Sequence, residues 1–282
     1  MTITLERIQR YPVKGLGPDA LEAVALTPGT GLPHDRRFAV LRGGVAFDAA
    51  APRWLPKQRF VMLMRDTALA RVACRLDAEG AALELAAPDR ASCRVALADV
   101  DDRGRLDAWL NAILGARPEG SARVVEAGGQ SFTDVPQNCL SLVNLASVRE
   151  LEARMGCRLD PLRFRANLYV DGAAPWAEFD WVGCEVQIGE VRVHVPARIP
   201  RCAATSVDPA TGTRNVNVVK GLRAAYGHYD MGVYAEVLAP GRVRRGDVVL
   251  PPDSARPRSW LGHWMRFLGF LARSTPIVLG RR

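Results

Sequence analysis

The stretch CEVQIGEVRVHV, residues 184–195, decides which class of fold this chain is expected to adopt. Polar and apolar side chains alternate along both of its halves, which is the period of a β-strand with one buried face. Gly189 and Glu190 separate the two halves and suit a tight turn. The stretch therefore predicts an antiparallel β-hairpin.

Other segments carry the same strand signal, and few carry a helical one. Strands are expected at residues 37–41, 59–64, 68–76, 82–87, 231–238 and 246–250, with 68–87 forming an antiparallel meander. Helices are expected at 106–115, which ends in a glycine, and at 147–156, where Ser147 and Glu150 suit a capping box. Many short strands with few helices predict a mainly β fold of the α+β type, a β-barrel core with helices at its edge.

Changes in composition suggest where this chain divides. Candidate boundaries lie near the glycines of residues 126–134 and after residues 250–253. They separate three segments, 1–125, 126–252 and 253–282. In the last segment, residues 259–273 have the apolar spacing of an amphipathic helix. We expect its apolar face to pack on the parent barrel, on a second subunit or on a membrane surface.

The overall composition is that of a globular protein, with 282 residues of which 48% are hydrophobic and 24% charged. The net charge of +8 could attract nucleic acid, but the 38 basic residues are scattered and only Lys14, Lys57 and Lys220 are lysines. We therefore expect no nucleic-acid partner. None of the six cysteines has the spacing of a zinc or iron–sulfur site. Without a recognisable secretion signal, a reducing, cytoplasmic setting is expected.

Two basic loops near the start of the chain are candidates for binding an anion. Lys14 follows a short apolar strand and precedes a glycine turn, where an ammonium group can meet a phosphate. Asp35, Arg36 and Arg37 precede a strand, so that one arginine can pair with the carboxylate while the other reaches an anion. A solvated lysine and a plain surface ion pair would explain the same residues.

The stretch LRFRANLYV, residues 162–170, adds two more cations. If the stretch is a strand, Arg163, Arg165 and Asn167 lie on one of its faces, because side chains alternate. Two guanidinium groups and an amide in a row would suit a polar ring and a phosphate. A solvent-facing sheet surface is the alternative.

Cys202 lies in the stretch RIPRCAATSVDPATG, residues 198–212. Pro200 restrains the backbone before Arg201, and Asp208 with Pro209 suits a tight turn. A thiol on a rigid segment beside a permanent cation can serve as a thiolate ligand for a metal. A buried packing cysteine is the alternative.

Five motifs in order give the chain a family resemblance. They are YPVKG (11–15), GLPHDRRFAV (31–40), FRAN (164–167), RCAATSVDPATG (201–212) and GDVVL (246–250). Together they resemble the molybdenum cofactor sulfurase C-terminal (MOSC) domain family, preceded by its N-terminal β-barrel domain, over about residues 3–250. The resemblance is greatest to the amidoxime-reducing molybdenum enzymes. It implies a β-barrel MOSC core in 126–252 and a β-barrel-like domain in 1–125.

The resemblance also implies site residues for a molybdenum pyranopterin, Mo-molybdopterin. Cys202 corresponds to the family's protein ligand to molybdenum and takes the catalytic role. The positions implied for cofactor binding are Lys14, Gly15, Arg36, Gln137, Asn138, Arg165, Asn167, Pro200 and Arg201. Gly15 stands where the family often has serine, so that only a backbone N–H is available there. Ala166 replaces the usual proline of the FRPN motif.

The function implied by the resemblance is that of an oxidoreductase. It would reduce N-hydroxylated compounds, such as amidoximes and hydroxylamines, by removing oxygen at molybdenum. Electrons would come from a separate protein of the ferredoxin or flavin-reductase type, because residues 251–282 hold no cysteine for a cluster. The alternative is a cysteine-persulfide sulfur carrier or cofactor-handling module, which would not need the cationic residues. A noncatalytic scaffold is a third alternative.

Overall fold

The structure is a computed structural model that describes residues 2–51, 55–129 and 131–252. The strands of these residues, in chain order, are β1 (Ile3–Arg10), β2 (Val13–Lys14), β3 (Asp19–Leu21), β4 (Ala23–Leu26), β5 (Phe38–Leu41), β6 (Ala73–Leu76), β7 (Ala82–Ala87), β8 (Arg90–Ala96), β9 (Arg123–Glu126), β10 (Leu140–Asn144), β11 (Leu168–Asp171), β12 (Glu185–Ile188), β13 (Val191–His194), β14 (Arg198–Pro200), β15 (Asp230–Ala239), β16 (Gly241–Arg244) and β17 (Val248–Leu250). Their α-helices are α1 (Val100–Leu114), α2 (Leu145–Met155) and α3 (Val218–Tyr226). The expected tail segment, 253–282 with its helix at 259–273, lies outside the described residues.

Seven strands close into a barrel, which confirms the predicted mainly β fold. The order around it is β10, β11, β1, β17, β12, β13 and β15, and β15 pairs back with β10. All neighbours are antiparallel except β10 and β11. Closure requires Gly232, where φ is 73° and a Cβ atom would lie 2.3 Å from the carbonyl oxygen of Leu142.

The hairpin predicted at residues 184–195 corresponds to β12 and β13 and forms one wall of this barrel. Glu185 pairs with His194 and Ile188 with Val191, so the turn at 189–190 is confirmed. Its inward side chains, among them Val186 and Val193, belong to the barrel core with Leu5, Leu168 and Val233. The apolar period of the sequence thus selects the face that is buried.

A second core lies in the N-terminal half. The predicted pairing of 68–76 with 82–87 is confirmed by β6 and β7, and β8, which was not predicted, completes an antiparallel sheet on which α1 packs with Leu106 and Leu110. A further sheet has the order β2–β5–β9. Because β1 belongs to the barrel and β2 to this smaller sheet, Tyr11 and Pro12 connect the two cores.

The strand expected at 59–64 is wrong. Val61 N donates to Val40 O at 2.8 Å, but the chain then turns, and the amides of Arg65 and Asp66 both donate to Met62 O. The first half of the strand expected at 68–76 is also wrong, since Thr67–Arg71 is a 3₁₀ helix. Short apolar runs are buried in either conformation, so their composition does not distinguish strand from turn.

The helix ends also differ from expectation. Helix α1 begins at Val100, six positions before the expected start, because the Asp99 side chain accepts hydrogen bonds from two amides of the first turn. The capping box expected at Ser147 and Glu150 is wrong, because α2 begins at Leu145 with Asn144 as its N-cap. Ser147 lies inside the helix and donates instead to the buried Glu178.

The strand expected at 162–170 starts only at Leu168. Asp160 Oδ1 accepts a hydrogen bond from Leu162 N, which opens the 3₁₀ helix Pro161–Phe164. Arg165 ends that helix with a φ of 51°. Arg163 and Arg165 therefore do not share a sheet face, which corrects the expected row with Asn167.

Glu178 has no exposed surface, and its carboxyl group lies at the N-terminal end of α2. Its Oε2 accepts hydrogen bonds from Ser147 Oγ at 2.8 Å and Asn144 Nδ2 at 3.2 Å. Its Oε1 is buried with no hydrogen-bond partner in the described part of the chain. Burial outweighs these bonds and raises the pKa of the carboxyl to about 7.

We expect Glu178→Gln to stabilise the protein at pH 8 but not at pH 4. The pKa of Glu178 is higher in the folded state, about 7, than its ordinary value of 4.5. Wild-type stability should therefore fall as the pH rises between those values, by about 2–3 kcal/mol, and a neutral glutamine removes this loss. Urea unfolding of both proteins across this range measures the difference. Identical pH dependences would contradict the prediction.

No helix in the described ranges is long and apolar enough to cross a membrane.

Candidate functional site

The site begins at the corner where β1 passes into β2. Tyr11 N donates to Asp35 Oδ1 at 2.8 Å, and Arg36 N donates to Tyr11 O at 2.6 Å. Arg36 has a φ of 48°, an unusual conformation for a residue with a side chain. Its guanidinium donates to Asp35 Oδ2 and, over 2.8 Å, to Arg165 O. This pairing fulfils one half of the prediction for Asp35, Arg36 and Arg37.

Arg37 does not reach the site. Its guanidinium pairs with Glu126 and donates to Gly80 O at 2.7 Å. The second arginine beside Asp35 is supplied instead by the 3₁₀ helix before β11. Arg165 lies with its Cζ 4.3 Å from the centre of the Tyr11 ring, and Arg36 Cζ lies 4.4 Å from the same centre.

Arg165 is a partly buried cation with no ion-pair partner in residues 2–51, 55–129 and 131–252. Its Nη2 is buried and has no hydrogen-bond partner among the residues the structure describes. Burial lowers the pKa of Arg165, and Arg36 lowers it further although Tyr11 opposes this. A buried polar group without a partner is costly. The guanidinium is therefore available to an anionic ligand.

Lys14 brings a third cation to this corner. Its Nζ donates to Phe132 O at 2.7 Å and pairs with Asp134 Oδ1 at 2.5 Å. Phe132 N in turn donates to Arg36 O, so the loop after β9 connects Lys14 with Arg36. Partial burial raises the pKa of Asp134, but Lys14, Lys57 and Arg36 outweigh it and lower that pKa to about 2. The half-exposed Asp134 side chain is thus a carboxylate surrounded by cations.

Cys202 lies two residues after the end of β14, at the start of the 3₁₀ helix Ala203–Ser206, and is partly exposed. Its carbonyl oxygen accepts hydrogen bonds from Thr205 N at 3.1 Å and Thr205 Oγ1 at 2.9 Å. Arg201 donates from Nη1 to Phe164 O at 2.8 Å and from Nε to Met231 O at 2.8 Å. Arg201 and Arg36 thus bind the successive carbonyls of residues 164 and 165. This links the cysteine segment to the cationic corner.

Arg163 anchors the turn that follows Cys202. Only 3% of its surface is exposed, and its Nη2 lies 2.7 Å from both Asp208 Oδ2 and Asn215 Oδ1. Asp208 Oδ1 accepts hydrogen bonds from Ala210 N and Thr211 N, which forms the turn read from the sequence. Arg163 thus forms a structural ion pair with Asp208. Arg165, two positions further on, has no ion-pair partner among the described residues.

The other residues implied for cofactor binding have contacts outside the pair of arginines. Asn167 is buried. Its Oδ1 accepts a hydrogen bond from Ser141 Oγ at 2.9 Å, and its Nδ2 donates to Gln9 O at 3.1 Å. Asn138 is exposed and donates to Gly29 O at 3.4 Å, and Gln137 beside it is half-buried. Gly15 is buried with a φ of 92°, which a serine would adopt only under strain. Pro200 ends β14 and pairs with Asp230.

Sequence reasoning singled out the cations but missed the groups that arrange them. Tyr11, Asp134 and Lys57 were not assigned roles, although Tyr11 begins the quoted motif YPVKG. Their signal is weak in sequence because Asp134 is 120 positions from Lys14. Strand pairing in the β2–β5–β9 sheet, not local spacing, brings Lys14 close to the loop that carries Asp134.

The donor set constrains which ligand this corner could hold. Within the described residues, no three His, Cys, Asp or Glu side chains are grouped to hold a metal ion. A metal bound by Cys202 would therefore take its other donors from a ligand. The unpartnered Nη2 of Arg165, with Lys14 and Arg36, fits the phosphate of such a ligand. These residues fit a metal carried on a phosphorylated organic cofactor.

Two protein-family models match this chain, one in each half. The MOSC N-terminal beta barrel domain matches residues 2–122. The MOSC domain matches residues 129–250. Cys202 and Arg165 lie in the second match, whereas Lys14 and Arg36 lie in the first, so the cationic corner is built by both.

Curated relatives are similar in sequence over about a third of their own length. The molybdenum cofactor sulfurase of Anopheles gambiae is 29% identical over 259 residues, which is 79% of this chain and 33% of that protein. The mitochondrial amidoxime-reducing component 1 of Mus musculus is 33% identical over 116 residues, 37% of this chain and 34% of that protein. The chain thus spans about a third of these relatives. The solved structure of the YUAD protein from Bacillus subtilis covers 88% of this chain and 94% of its own, with 14% identity and a TM-score of 0.41.

Proposed function

Because this chain belongs to the MOSC domain family, we propose that it is a molybdenum-pterin oxidoreductase that reduces N-hydroxylated compounds. The observation that carries the proposal is the buried, unpartnered Nη2 of Arg165 beside Arg36. A protein that bound no anion would gain nothing from a buried cation left without a partner. Amidoximes and hydroxylamines are the substrate class.

The chain's residues would hold the cofactor through two kinds of contact. Cys202 would supply one sulfur ligand to molybdenum, and Lys14, Arg36 and Arg165 would bind the phosphate of the pyranopterin. When bound, a molybdenum pyranopterin supplies the two-electron chemistry needed to cleave an N–O bond. The partial exposure of Cys202 leaves a small substrate access to this place.

The protein's part in catalysis is to bind and orient. Asp35 holds Arg36, Arg163 holds the turn after Cys202, and Thr205 holds the Cys202 carbonyl. These bonds restrain the thiolate and the phosphate-binding cations separately, so that a ligand bound by both would be held at two ends. We propose that electrons arrive from a separate ferredoxin- or flavin-type protein, because no two cysteines of the chain have cluster spacing.

A sulfur carrier or cofactor-handling module is the second candidate. The sulfurase relative matches 79% of this chain, more than the 37% matched by the amidoxime-reducing relative. In that case the partly exposed Cys202 would carry a persulfide. A persulfide needs no cationic corner, and this favours the reductase.

Metal and pterin analysis distinguishes the two functions. We expect the protein produced with molybdate to contain molybdenum and pterin in equal amounts, the pterin measured by fluorescence after oxidation. It should also reduce benzamidoxime with a chemical electron donor. Protein produced with tungstate instead of molybdate is the control and should retain pterin without that activity. Cyanide-releasable sulfur with no bound pterin would establish the sulfur carrier in its place.

A further inference from the structure

Among the residues that the structure describes, Tyr11 is the one side chain whose ring contacts both Arg36 and Arg165. No part of it is exposed, and its ring centre lies 4.4 Å from Arg36 Cζ and 4.3 Å from Arg165 Cζ. Guanidinium groups at this distance are attracted by the electrons of an aromatic face, more strongly where water is excluded. The ring therefore offsets part of the repulsion between two buried cations.

The two arginines depend on this ring to different degrees. Arg36 is also held by Asp35 and by the carbonyl oxygen of Arg165. For the Arg165 guanidinium, the described residues provide the Tyr11 ring as a contact but no partner for Nη2. A long side chain without fixed partners weakens ligand binding, because ordering that side chain on binding costs conformational entropy. Whatever orients Arg165 beforehand thus strengthens anion binding.

Tyr11 is itself rigidly placed. Its N–H donates to Asp35, and its carbonyl accepts from Arg36 N. Its hydroxyl is buried with no hydrogen-bond partner among the described residues, so the ring is held by its backbone bonds and by the two guanidinium groups. Residues 161–166 form the turn that carries Arg165. Arg36 donates both to Tyr11 O and to Arg165 O, so the backbones that carry the ring and the Arg165 guanidinium are linked through Arg36.

We propose that Tyr11 is a positioning residue that stacks on Arg165 and orients its unpartnered Nη2 toward the phosphate of the bound ligand. The proposal rests on the proposed function for the identity of that ligand, a phosphorylated pterin. The anion-binding step itself involves only this chain's residues. It can therefore be measured with a simpler phosphate compound.

The test compares the affinity of cofactor-free full-length protein for inorganic pyrophosphate among variants of Tyr11. Tyr11→Phe keeps the aromatic face and should bind within about twofold of wild type. Tyr11→Leu removes it and should bind about tenfold more weakly. Tyr11→Met, which fills a core flexibly, serves if the leucine variant does not fold, with the same expected loss. Equal affinity in wild type and in the folded leucine or methionine variant would overturn the proposal.

A double-mutant cycle separates positioning from packing. In an Arg165→Ala background, Tyr11→Leu should cause little further loss of pyrophosphate affinity, because its effect passes through Arg165. Full additivity would overturn the proposal. Phe179→Leu, a buried aromatic change in the barrel core, should lower the melting temperature without changing this affinity. If wild type binds pyrophosphate but never contains pterin, the proposed function fails while the role of Tyr11 is still decided.

Discussion

Cys202→Ser is expected to abolish reduction of N-hydroxylated substrates while the fold persists. A hydroxyl is a much poorer donor than a thiolate to the metal proposed here, although the two side chains have similar volumes. The hydrogen bonds that hold this segment use the Cys202 backbone carbonyl, so the substitution leaves them in place. The rate should fall by more than about 100-fold, beyond the effect of residues that only support a metal ligand.

Measurements on matched cysteine variants test this expectation. Molybdenum content, sulfur-to-metal charge-transfer absorption and benzamidoxime reduction are compared for wild type and Cys202→Ser. Cys184→Ser is the closest control, because Cys184 is also partly exposed, and Cys74→Ser and Cys93→Ser change buried packing cysteines. These controls should keep metal and activity. Full activity with an unaltered spectrum in Cys202→Ser would return Cys202 to the role of a packing residue.

Arg165→Ala is expected to release the cofactor without destabilising the fold. The substitution removes a charge-assisted contact to the phosphate, which should weaken binding about 10- to 100-fold. It also removes a buried cation whose Nη2 has no partner in the described residues, so the melting temperature of the cofactor-free protein should stay the same or rise. Pterin content and thermal unfolding measure the two effects. Arg165→Lys keeps the charge but not the planar donor group and should lose less.

The neighbouring arginine provides the control. Arg163→Ala breaks a buried pair with Asp208 and should lower the free energy of unfolding by about 3 kcal/mol. The contrast between a stability loss at 163 and a ligand loss at 165 is the signature of the proposed site. A large stability loss from Arg165→Ala would mean that its guanidinium is a structural group.

Much of the fold is predictable because its signals are local. The alternation in residues 184–195 predicts the hairpin, and the antiparallel pair β6–β7 follows from apolar periods and the turn between them. Helix limits and short apolar runs were less predictable. At 59–64 and 162–167 the chain forms turns because nearby backbone and side-chain groups compete with strand pairing.

By itself, the sequence determined which chemical groups this protein carries and which strands bury one face. It also predicted that one of two arginines pairs with Asp35, and the structure shows that this is Arg36. Only the tertiary structure decided that Arg36 bonds the backbone of Arg165, 129 positions away, and that Arg163 is paired while Arg165 is not. The physical reason is separation along the chain. The alternation of polar and apolar residues is a pattern of a few neighbouring positions. The partner of a buried charge comes from a distant segment, and the two meet only when the chain folds and excludes water from them.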